Sequence, residues 1–166
     1  WLLKDYRSLT GKYERIVSVG MFEHVGHKNY TVFRETARNL LHEDGLFLLH
    51  TIGANQKRLS VDPWIEKYIF RNGILPSIGQ IGDAVSGRFV MEDWHNFGVD
   101  YDKTVMAWAE NFSRGREEGK FTCTDSMFRM FHYYLLSCAG AFRARDLQLW
   151  QIVLSPHGVT DGYRRP

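Results

Sequence analysis

The run RIVSVGM at residues 15–21 decides the fold, together with the two segments that follow it. It is apolar and β-branched with little alternation, which is typical of a strand buried on both faces of a parallel sheet. Residues 29–41 place apolar side chains at nearly helical spacing, and GLFLLHT at residues 45–51 predicts a second buried strand after a turn at residues 43–45. Strand, helix and strand joined by short turns predict a βαβ unit with parallel strands, and hence an α/β sheet.

The pattern loosens beyond Ile52, where prolines and glycines interrupt the sequence. This stretch predicts an insert with two short helices, at residues 63–68 and 77–85, and such an insert commonly carries a binding wall. The remaining elements predicted from the pattern are a strand at 88–94, helices at 102–112 and 125–145, and a final strand at 147–154.

Composition places the chain among ordinary globular domains. It has 166 residues, of which 44% are hydrophobic and 24% charged, so one domain is expected. Two cysteines, Cys123 and Cys138, argue against a disulfide-stapled secreted scaffold and favour a reducing, cytoplasmic compartment. The net charge of +2 gives no electrostatic reason to expect nucleic acid, and no apolar run reaches the roughly 18 residues of a membrane span. Because the chain opens at Trp1, almost directly in strand-like sequence, a missing upstream part is expected.

Polar side chains stand where the two predicted strands end. Glu23 and His24 follow the first strand and His50 ends the second, and ligands of open α/β sheets bind outside the carboxyl ends of the strands. Glu23 could orient a bound group or match its charge, and His50 could hydrogen-bond an anion or move a proton. A histidine near a strand end is also commonly a structural hydrogen-bonding residue, so both interpretations stay open.

Other familiar sites are not supported by the sequence. His24 and His27 stand three apart, but the residues between them predict a turn rather than a helix, and no metal is expected. The chain contains no G-x-G-x-x-G, no G-x-x-x-x-G-K-[ST] and no G-x-S-x-G, so it has neither a nucleotide phosphate loop nor a serine-hydrolase elbow. Aromatic residues are frequent after the βαβ unit, and they could line a pocket for a hydrophobic substrate or a developing cation, or simply fill a core.

Five longer segments carry a resemblance to a known family. They are RIVSVGMFEHVG at 15–26, FLLHTIG at 47–53, VDPWIEKYIF with GILPS within 61–77, MEDWHNFGVDYDKT at 91–104 and CAGAFRARDLQLWQIVLS at 138–155. Together they closely resemble cyclopropane-fatty-acyl-phospholipid synthases of the mycolic acid cyclopropane synthase family. The resemblance is to the carboxyl-terminal part of those bacterial enzymes, without the upstream half that carries the glycine-rich loop for S-adenosylmethionine.

The resemblance implies a fold and a reaction. Residues 1–166 would form the C-terminal part of a single methyltransferase-like domain. Its α/β sheet would be of the class I S-adenosylmethionine-dependent (Rossmann-like) kind, represented by its later strands only. An antiparallel final hairpin and a helical insert that forms a lipid pocket belong to that expectation. The family transfers the methyl carbon of S-adenosylmethionine to a cis double bond of an unsaturated phospholipid acyl chain, where it becomes the methylene of a cyclopropane ring.

The resemblance also assigns an anion site. In the family a bound bicarbonate ion accepts the proton that ring closure releases, and the matching ligands here are Glu23, His50, the backbone of Ile52 and Tyr101. Glu92, in MEDWHN, is implied to support that network.

Further site residues follow from the same resemblance. Cys138 matches the family's signature cysteine, for which a pocket or structural role is expected. Tyr6 and Arg7 match a segment that flanks the adenine of S-adenosylmethionine, and Val19 matches a backbone contact to that cofactor.

Partners and alternatives complete the expectations. The implied partners are unsaturated phospholipid acyl chains at the surface of the inner membrane, contacted peripherally from the cytoplasm, with no nucleic acid and with a homodimer left open. The alternatives are a non-catalytic remnant that cannot bind the cofactor by itself, and a methyltransferase that acts on a different acceptor.

Overall fold

The computed structural model describes residues 2–166. The elements of the chain, in order, are a 3-10 helix Tyr6–Ser8, β1 Tyr13–Val19, α1 Phe22–Val25, a 3-10 helix His27–Asn29, α2 Tyr30–Leu40, β2 Leu41–Ala54, α3 Pro63–Tyr68, α4 Ile78–Val85, β3 Val90–Asn96, α5 Gly98–Glu117, α6 Asp125–Arg143 and β4 Leu147–Ser155.

The chain divides into two compact units. The first contains the residues up to Asn96 together with Leu149–Pro166, and the second is Phe97–Gln148. The first unit therefore holds the sheet with the insert, and the second is built from α5 and α6.

The sheet has four strands in the order β1-β2-β4-β3. β1 and β2 are parallel and are linked through α2, which confirms the predicted βαβ unit. β3 and β4 are antiparallel, as the family resemblance implies. They do not form the expected hairpin, however, because α5 and α6 lie between them in the chain.

The expectation that β1 is buried on both faces is wrong. Val17 and Val19 are 62% and 63% exposed, whereas Ser18 between them is buried. Val17 and Val19 point to the same face of the sheet as their β2 partners Leu48 and His50, which are also partly exposed. That face is therefore incompletely covered within residues 2–166, most of all at the end strand β1. The strand also ends two residues earlier than predicted, because Gly20 takes a left-handed φ of 62° and turns the chain into α1.

The turn predicted at residues 43–45 is also wrong, because these residues belong to β2. The parallel pairing with β1 shifts register there: Tyr13 pairs with Leu41 and Arg15 pairs with Leu46. The extra residues of β2 are thus accommodated as an irregularity within the strand. Gly45 allows this, since a Cβ at that position would lie 2.7 Å from Leu41 Cδ1.

The other predicted elements exist, with shifted ends. β3 begins and ends two residues later than predicted, and β4 extends one residue further. α5 is one turn longer at each end than residues 102–112, and α6 ends at Arg143 because Arg145 takes a left-handed φ of 62°. The two short helices of the insert lie where the sequence predicts them.

The core of the first unit lies between α2, α4 and the sheet, and it is rich in aromatic rings. Phe22 stacks on Tyr30 with ring centroids 4.2 Å apart, and Phe33 packs against Phe22 and Phe47 at 5.1 and 5.9 Å. These rings hold α1 and the start of α2 against β2, which carries Phe47. The segment that carries Glu23 is therefore fixed by packing.

In the second unit, α5 packs against α6 through aromatic side chains. Phe112 stacks on Phe121 and Phe128 with centroids 5.2 and 5.1 Å away, and the Arg116 guanidinium lies 4.2 Å from the centre of the Phe128 ring. These rings contact one another, so a pocket-lining role for them stays a prediction. Neither of these helices, nor any other in residues 2–166, is both long and apolar enough to cross a bilayer.

Helix α4 begins with a capping box. The Ser77 hydroxyl accepts a hydrogen bond from the Gln80 N–H at 3.3 Å, and the Gln80 side chain accepts one from the Ser77 N–H at 3.0 Å. We expect Ser77→Ala to lower the free energy of unfolding by about 1 kcal/mol, because it removes the acceptor of an N-terminal amide. Urea unfolding followed by circular dichroism measures this change. Ser86→Ala, at the other end of α4, is the control, and equal effects of the two substitutions would contradict the capping account.

Candidate functional site at the carboxyl end of the parallel strands

The site centres on Glu23, which is only 7% exposed and lies in α1. Its Oε1 accepts a hydrogen bond from the Ile52 N–H at 2.7 Å, and its backbone carbonyl accepts one from the Ile74 N–H at 2.8 Å. The insert thus holds Glu23 from one side and β2 holds it from the other. A carboxylate fixed at both its backbone and its side chain is well suited to orient a bound group.

The strand pattern explains why Ile52 binds Glu23. β1 ends at Val19, which pairs with His50, and the Gly20 N–H still donates to the His50 carbonyl at 3.1 Å. Beyond this point no residue of β1 pairs with β2, and among residues 2–166 the next pairing of this kind is the isolated parallel bridge between Ala54 and Ser77. A buried N–H needs an acceptor, and the Glu23 carboxylate supplies one to Ile52.

The second oxygen of Glu23 is the unusual atom of the site. Glu23 Oε2 is buried and has no hydrogen-bond partner within residues 2–166, and the hydroxyl oxygen of Tyr30 shares both properties. Burial and, to a smaller extent, the negative charge of Glu23 together raise the pKa of Tyr30 to about 12. Because a buried polar atom without a partner is costly, Glu23 Oε2 is placed to accept a hydrogen bond from a ligand.

His50 lies on β2, two residues before Ile52, so both side chains point to the same face of the sheet. Its position differs from the expected strand end, because β2 continues to Ala54. It is instead level with the end of β1. The side chain is half-buried, and its Nδ1 lies 3.2 Å from Nε2 of Gln151 on β4. The structure therefore brings Glu23, His50 and Ile52 together where β1 ends.

Glu92 has its contacts elsewhere on the sheet. Its Oε1 accepts hydrogen bonds from the Ser155 hydroxyl and, at 2.9 Å, from the Val159 N–H. Glu92 lies three positions before His95 along β3, which is a distance of about 10 Å. His95 is the residue that pairs with Gln151, the neighbour of His50. These contacts anchor the C-terminal segment to β3, and the predicted support of the anion site by Glu92 stays a prediction.

The residues expected to contact S-adenosylmethionine lie near the start of the chain and at the end of β1. The Tyr6 ring packs edge-on against Phe33 at 5.6 Å. Arg7 makes a bidentate ion pair with Asp5 at 2.9 and 2.6 Å, which holds the pKa of that carboxyl at about 2. Val19 is largely exposed. The Tyr6 ring and the exposed Val19 at the end of β1 are open to a ligand, whereas the charge of Arg7 is already paired with Asp5.

His24 and His27 stand near each other in the sequence, and the expectation that they bind no metal stays a prediction. The described residues, 2–166, contain no cluster of three or more histidine, cysteine, aspartate or glutamate side chains suited to hold a metal ion. The His24 ring instead packs edge-on against Phe70 of the insert, with centroids 5.8 Å apart. With the Ile74 contact to Glu23, this packing makes the insert one wall of the site.

Tyr101 and Cys138 belong to the second unit. The Tyr101 ring packs edge-on against Trp108 at 5.7 Å and Phe142 at 5.1 Å. Burial raises the pKa of the Cys138 thiol, and a hydrogen bond with Tyr134 opposes that shift less strongly. The pKa of Tyr134 is raised as well, mainly by burial. A buried thiol with a raised pKa is a poor nucleophile, which favours the expected structural role of Cys138.

The raised pKa of Cys138 makes a prediction about its reactivity. At pH 7.5 we expect iodoacetamide to alkylate Cys138 more slowly than free cysteine, because a raised pKa leaves less thiolate at any given pH. The rate should climb as the pH rises through the ordinary thiol range and beyond. Alkylation of the Cys123→Ser variant, in which Cys138 is the only cysteine, measures this rate. Alkylation faster than that of free cysteine would contradict the assignment.

Two residues of the site were not found from the sequence. Tyr30 is an ordinary core aromatic in the helical pattern, and nothing in that pattern shows that its hydroxyl lacks a partner. Gln151 did carry a signal, because it is a long polar residue within the apolar run LQLWQIVL. Its contact with His50 nevertheless depends on the neighbourhood of β2 and β4, which the sequence pattern does not specify.

Comparison with protein families gives one match over most of the chain. The family model described as mycolic acid cyclopropane synthetase matches residues 1–152. The cyclopropane-fatty-acyl-phospholipid synthase of Escherichia coli K12 is 59% identical over 164 residues, which is 98% of this chain and 42% of that enzyme. The chain therefore spans less than half the length of this relative.

Solved structures agree with this match. The cyclopropane synthase MmaA2 from Mycobacterium tuberculosis superposes with a TM-score of 0.83 at 27% identity, over 92% of this chain and 59% of that one. The mycolic acid cyclopropane synthase CmaA1, solved in complex with SAH and CTAB, gives a TM-score of 0.81 at 27% identity with the same coverage. The expected methyltransferase-like sheet is confirmed by these similarities.

Proposed function

Since the chain belongs to the mycolic acid cyclopropane synthetase family, we propose that it supplies the carboxyl-terminal part of an S-adenosylmethionine-dependent lipid-modifying enzyme. The reaction proposed is transfer of a methylene group to the cis double bond of an unsaturated phospholipid acyl chain, which forms a cyclopropane ring. The 59% identity to the E. coli synthase over 98% of this chain carries the proposal. The buried Glu23 supports it independently.

The two small molecules of the proposed reaction differ in how well this chain fits them. When bound, S-adenosylmethionine supplies the methyl carbon and bicarbonate supplies the proton acceptor. The unpartnered Glu23 Oε2 suits a ligand that carries an O–H group, as bicarbonate does. Tyr6 and Val19 offer contacts to only part of S-adenosylmethionine, because the sequence holds no glycine-rich turn for the rest of that cofactor.

The residues of the site have separate tasks in the proposed mechanism. Glu23 Oε2 would accept a hydrogen bond from the O–H group of bicarbonate, while the Ile52 amide holds Oε1. His50 would donate a hydrogen bond to the same anion and so help to hold it. The negative charge of Glu23 also stabilises positive charge that develops on the acyl chain during methyl transfer. The role of Tyr101 as a further ligand of this anion stays a prediction.

The proposal also concerns the remainder of the enzyme. We infer that the glycine loop for S-adenosylmethionine lies in the part of the relatives that this chain does not match. The exposed apolar residues Val17 and Val19 on one face of β1 suit coverage by that part of the relatives. Contact with the membrane is proposed to be peripheral, on the cytoplasmic face of the inner membrane. Co-sedimentation with phospholipid vesicles no greater than without lipid would count against that contact.

Two samples test the cofactor part of the proposal by calorimetry. One is this chain alone, and the other, called the E. coli fusion, is the E. coli synthase with its matching segment replaced by this chain. We expect S-adenosylmethionine to bind the fusion and to bind this chain at least about 100-fold more weakly, because most cofactor contacts are absent from it. Equal affinity for the two samples would contradict the division of the cofactor site. No binding to a folded fusion would favour the alternative of a non-catalytic remnant.

A further inference from the structure

Gln151 contacts the proposed anion site without belonging to any set of residues discussed above for the reaction. It lies on β4 between Trp150 and Ile152, which are 2% and 0% exposed. Its own side chain is partly buried and places Nε2 at 3.2 Å from His50 Nδ1. Ordering a glutamine side chain costs rotamer entropy, so a defined contact has to stabilise it at this place.

The chemistry of this contact fixes the state of the imidazole. With the Gln151 amide oriented so that Nε2, which can only donate, faces the ring, Nδ1 of His50 is the acceptor. A neutral imidazole with an acceptor at one ring nitrogen carries its proton on the other. His50 therefore has its proton on Nε2, which leaves that nitrogen as the donor.

We propose that Gln151 is a positioning residue for His50. Its amide holds the His50 ring in the Nε2–H tautomer, and the ring then presents a hydrogen-bond donor to an anion. Donation from His50 to an anion rests on the function proposed for His50, whereas the assignment of the tautomer does not. Second-shell contacts of this kind commonly set which nitrogen of a histidine faces the ligand.

The test reads the tautomer directly, in this chain and without any activity. With ¹⁵N-labelled histidine at about pH 9, where ordinary imidazoles are neutral, two-bond ¹H–¹⁵N correlation spectra distinguish the protonated nitrogen from the bare one. We expect His50 to show a protonated Nε2. In Gln151→Glu the carboxylate can only accept, so the proton should move to Nδ1. In Gln151→Met, which keeps the length and loses the donor, a mixture of tautomers is expected.

The controls lie in the same spectra. The chain has seven histidines, and the five other than His50 and His95, the β3 partner of Gln151, should keep their tautomers in both variants, which shows that the fold is intact. A protonated Nδ1 in the unchanged protein, or an Nε2–H signature that survives in Gln151→Glu, would overturn the proposal.

A second readout uses the E. coli fusion and separates this proposal from the function on which it draws. Gln151→Glu should raise the bicarbonate concentration needed for half-maximal rate about tenfold, as loss of one good hydrogen bond to an anion does, and leave the KM for S-adenosylmethionine unchanged. If the tautomer switches as predicted but the rate never depends on bicarbonate, the positioning role holds and the anion assignment fails. If bicarbonate matters but the tautomer does not switch, the positioning role is wrong.

Discussion

Replacing Gly53 with alanine is expected to destabilise the protein by about 3 kcal/mol or to prevent folding, the largest effect on stability that we predict. A Cβ at this position would lie 2.0 Å from Cζ3 and 2.5 Å from Cη2 of the Trp150 ring. That ring is 2% exposed and packs edge-on against Trp94 at 5.1 Å, so it has little room to move. The clash would force β2 and β4 apart beside the site. Urea unfolding followed by tryptophan fluorescence measures the loss.

Two variants make this prediction specific. Gly79→Ala, in α4, adds a Cβ with no heavy atom within 4 Å, and alanine is favoured over glycine in helices, so its stability should stay equal or rise. Adding Trp150→Leu to Gly53→Ala should recover part of the loss, because the smaller side chain makes room for the new methyl group. A Gly53→Ala protein as stable as the unchanged one would show that β2 and β4 do not approach as described.

Replacing His50 with alanine in the E. coli fusion is expected to reduce turnover at least about 100-fold while S-adenosylmethionine binds normally. The size follows from what one positioned donor or proton-transfer group contributes to a reaction. The imidazole is level with the end of β1, and Ile52, which holds Glu23, lies two residues further along β2. Steady-state rates of labelled-methyl transfer, together with calorimetry for the cofactor, measure the two effects separately.

A second histidine on β2 provides the control. His42 is exposed, and its Nε2 lies 4.0 Å from a Glu14 carboxylate oxygen, so His42→Ala removes the same group at a distance from the site. Its turnover should match that of the unchanged fusion. If His50→Ala also turned over normally, His50 would have no part in holding the anion.

The βαβ unit could be predicted from the sequence because its signals are local. Two apolar runs and a helical period between them need no knowledge of the neighbouring strands. The exposure of Val17 and Val19 could not be predicted, because it depends on what covers that face of the sheet, and a local sequence pattern does not specify this. The turn expected at residues 43–45 is wrong because these residues form an irregularity within β2, between Leu41 and Leu46, which both pair with β1.

The site was predicted in part. Glu23 and His50 stood out because polar residues beside buried strands are unusual. The link between them could not be seen, because it runs through the backbone amide of Ile52, and a backbone group leaves no trace in the sequence. Gln151 reaches His50 from another strand of the sheet, so its role required the strand order as well.

Methyl transfer to a defined lipid measures cyclopropane formation itself. The E. coli fusion is incubated with S-adenosylmethionine labelled in the methyl group and with vesicles of either unsaturated or fully saturated phospholipid, and the acyl chains are then analysed by mass spectrometry. The account predicts label only in the unsaturated lipid, with a mass increase of one methylene group and loss of the double bond. A folded fusion that binds S-adenosylmethionine but leaves both lipids unlabelled, while the E. coli enzyme labels the unsaturated one, would contradict it.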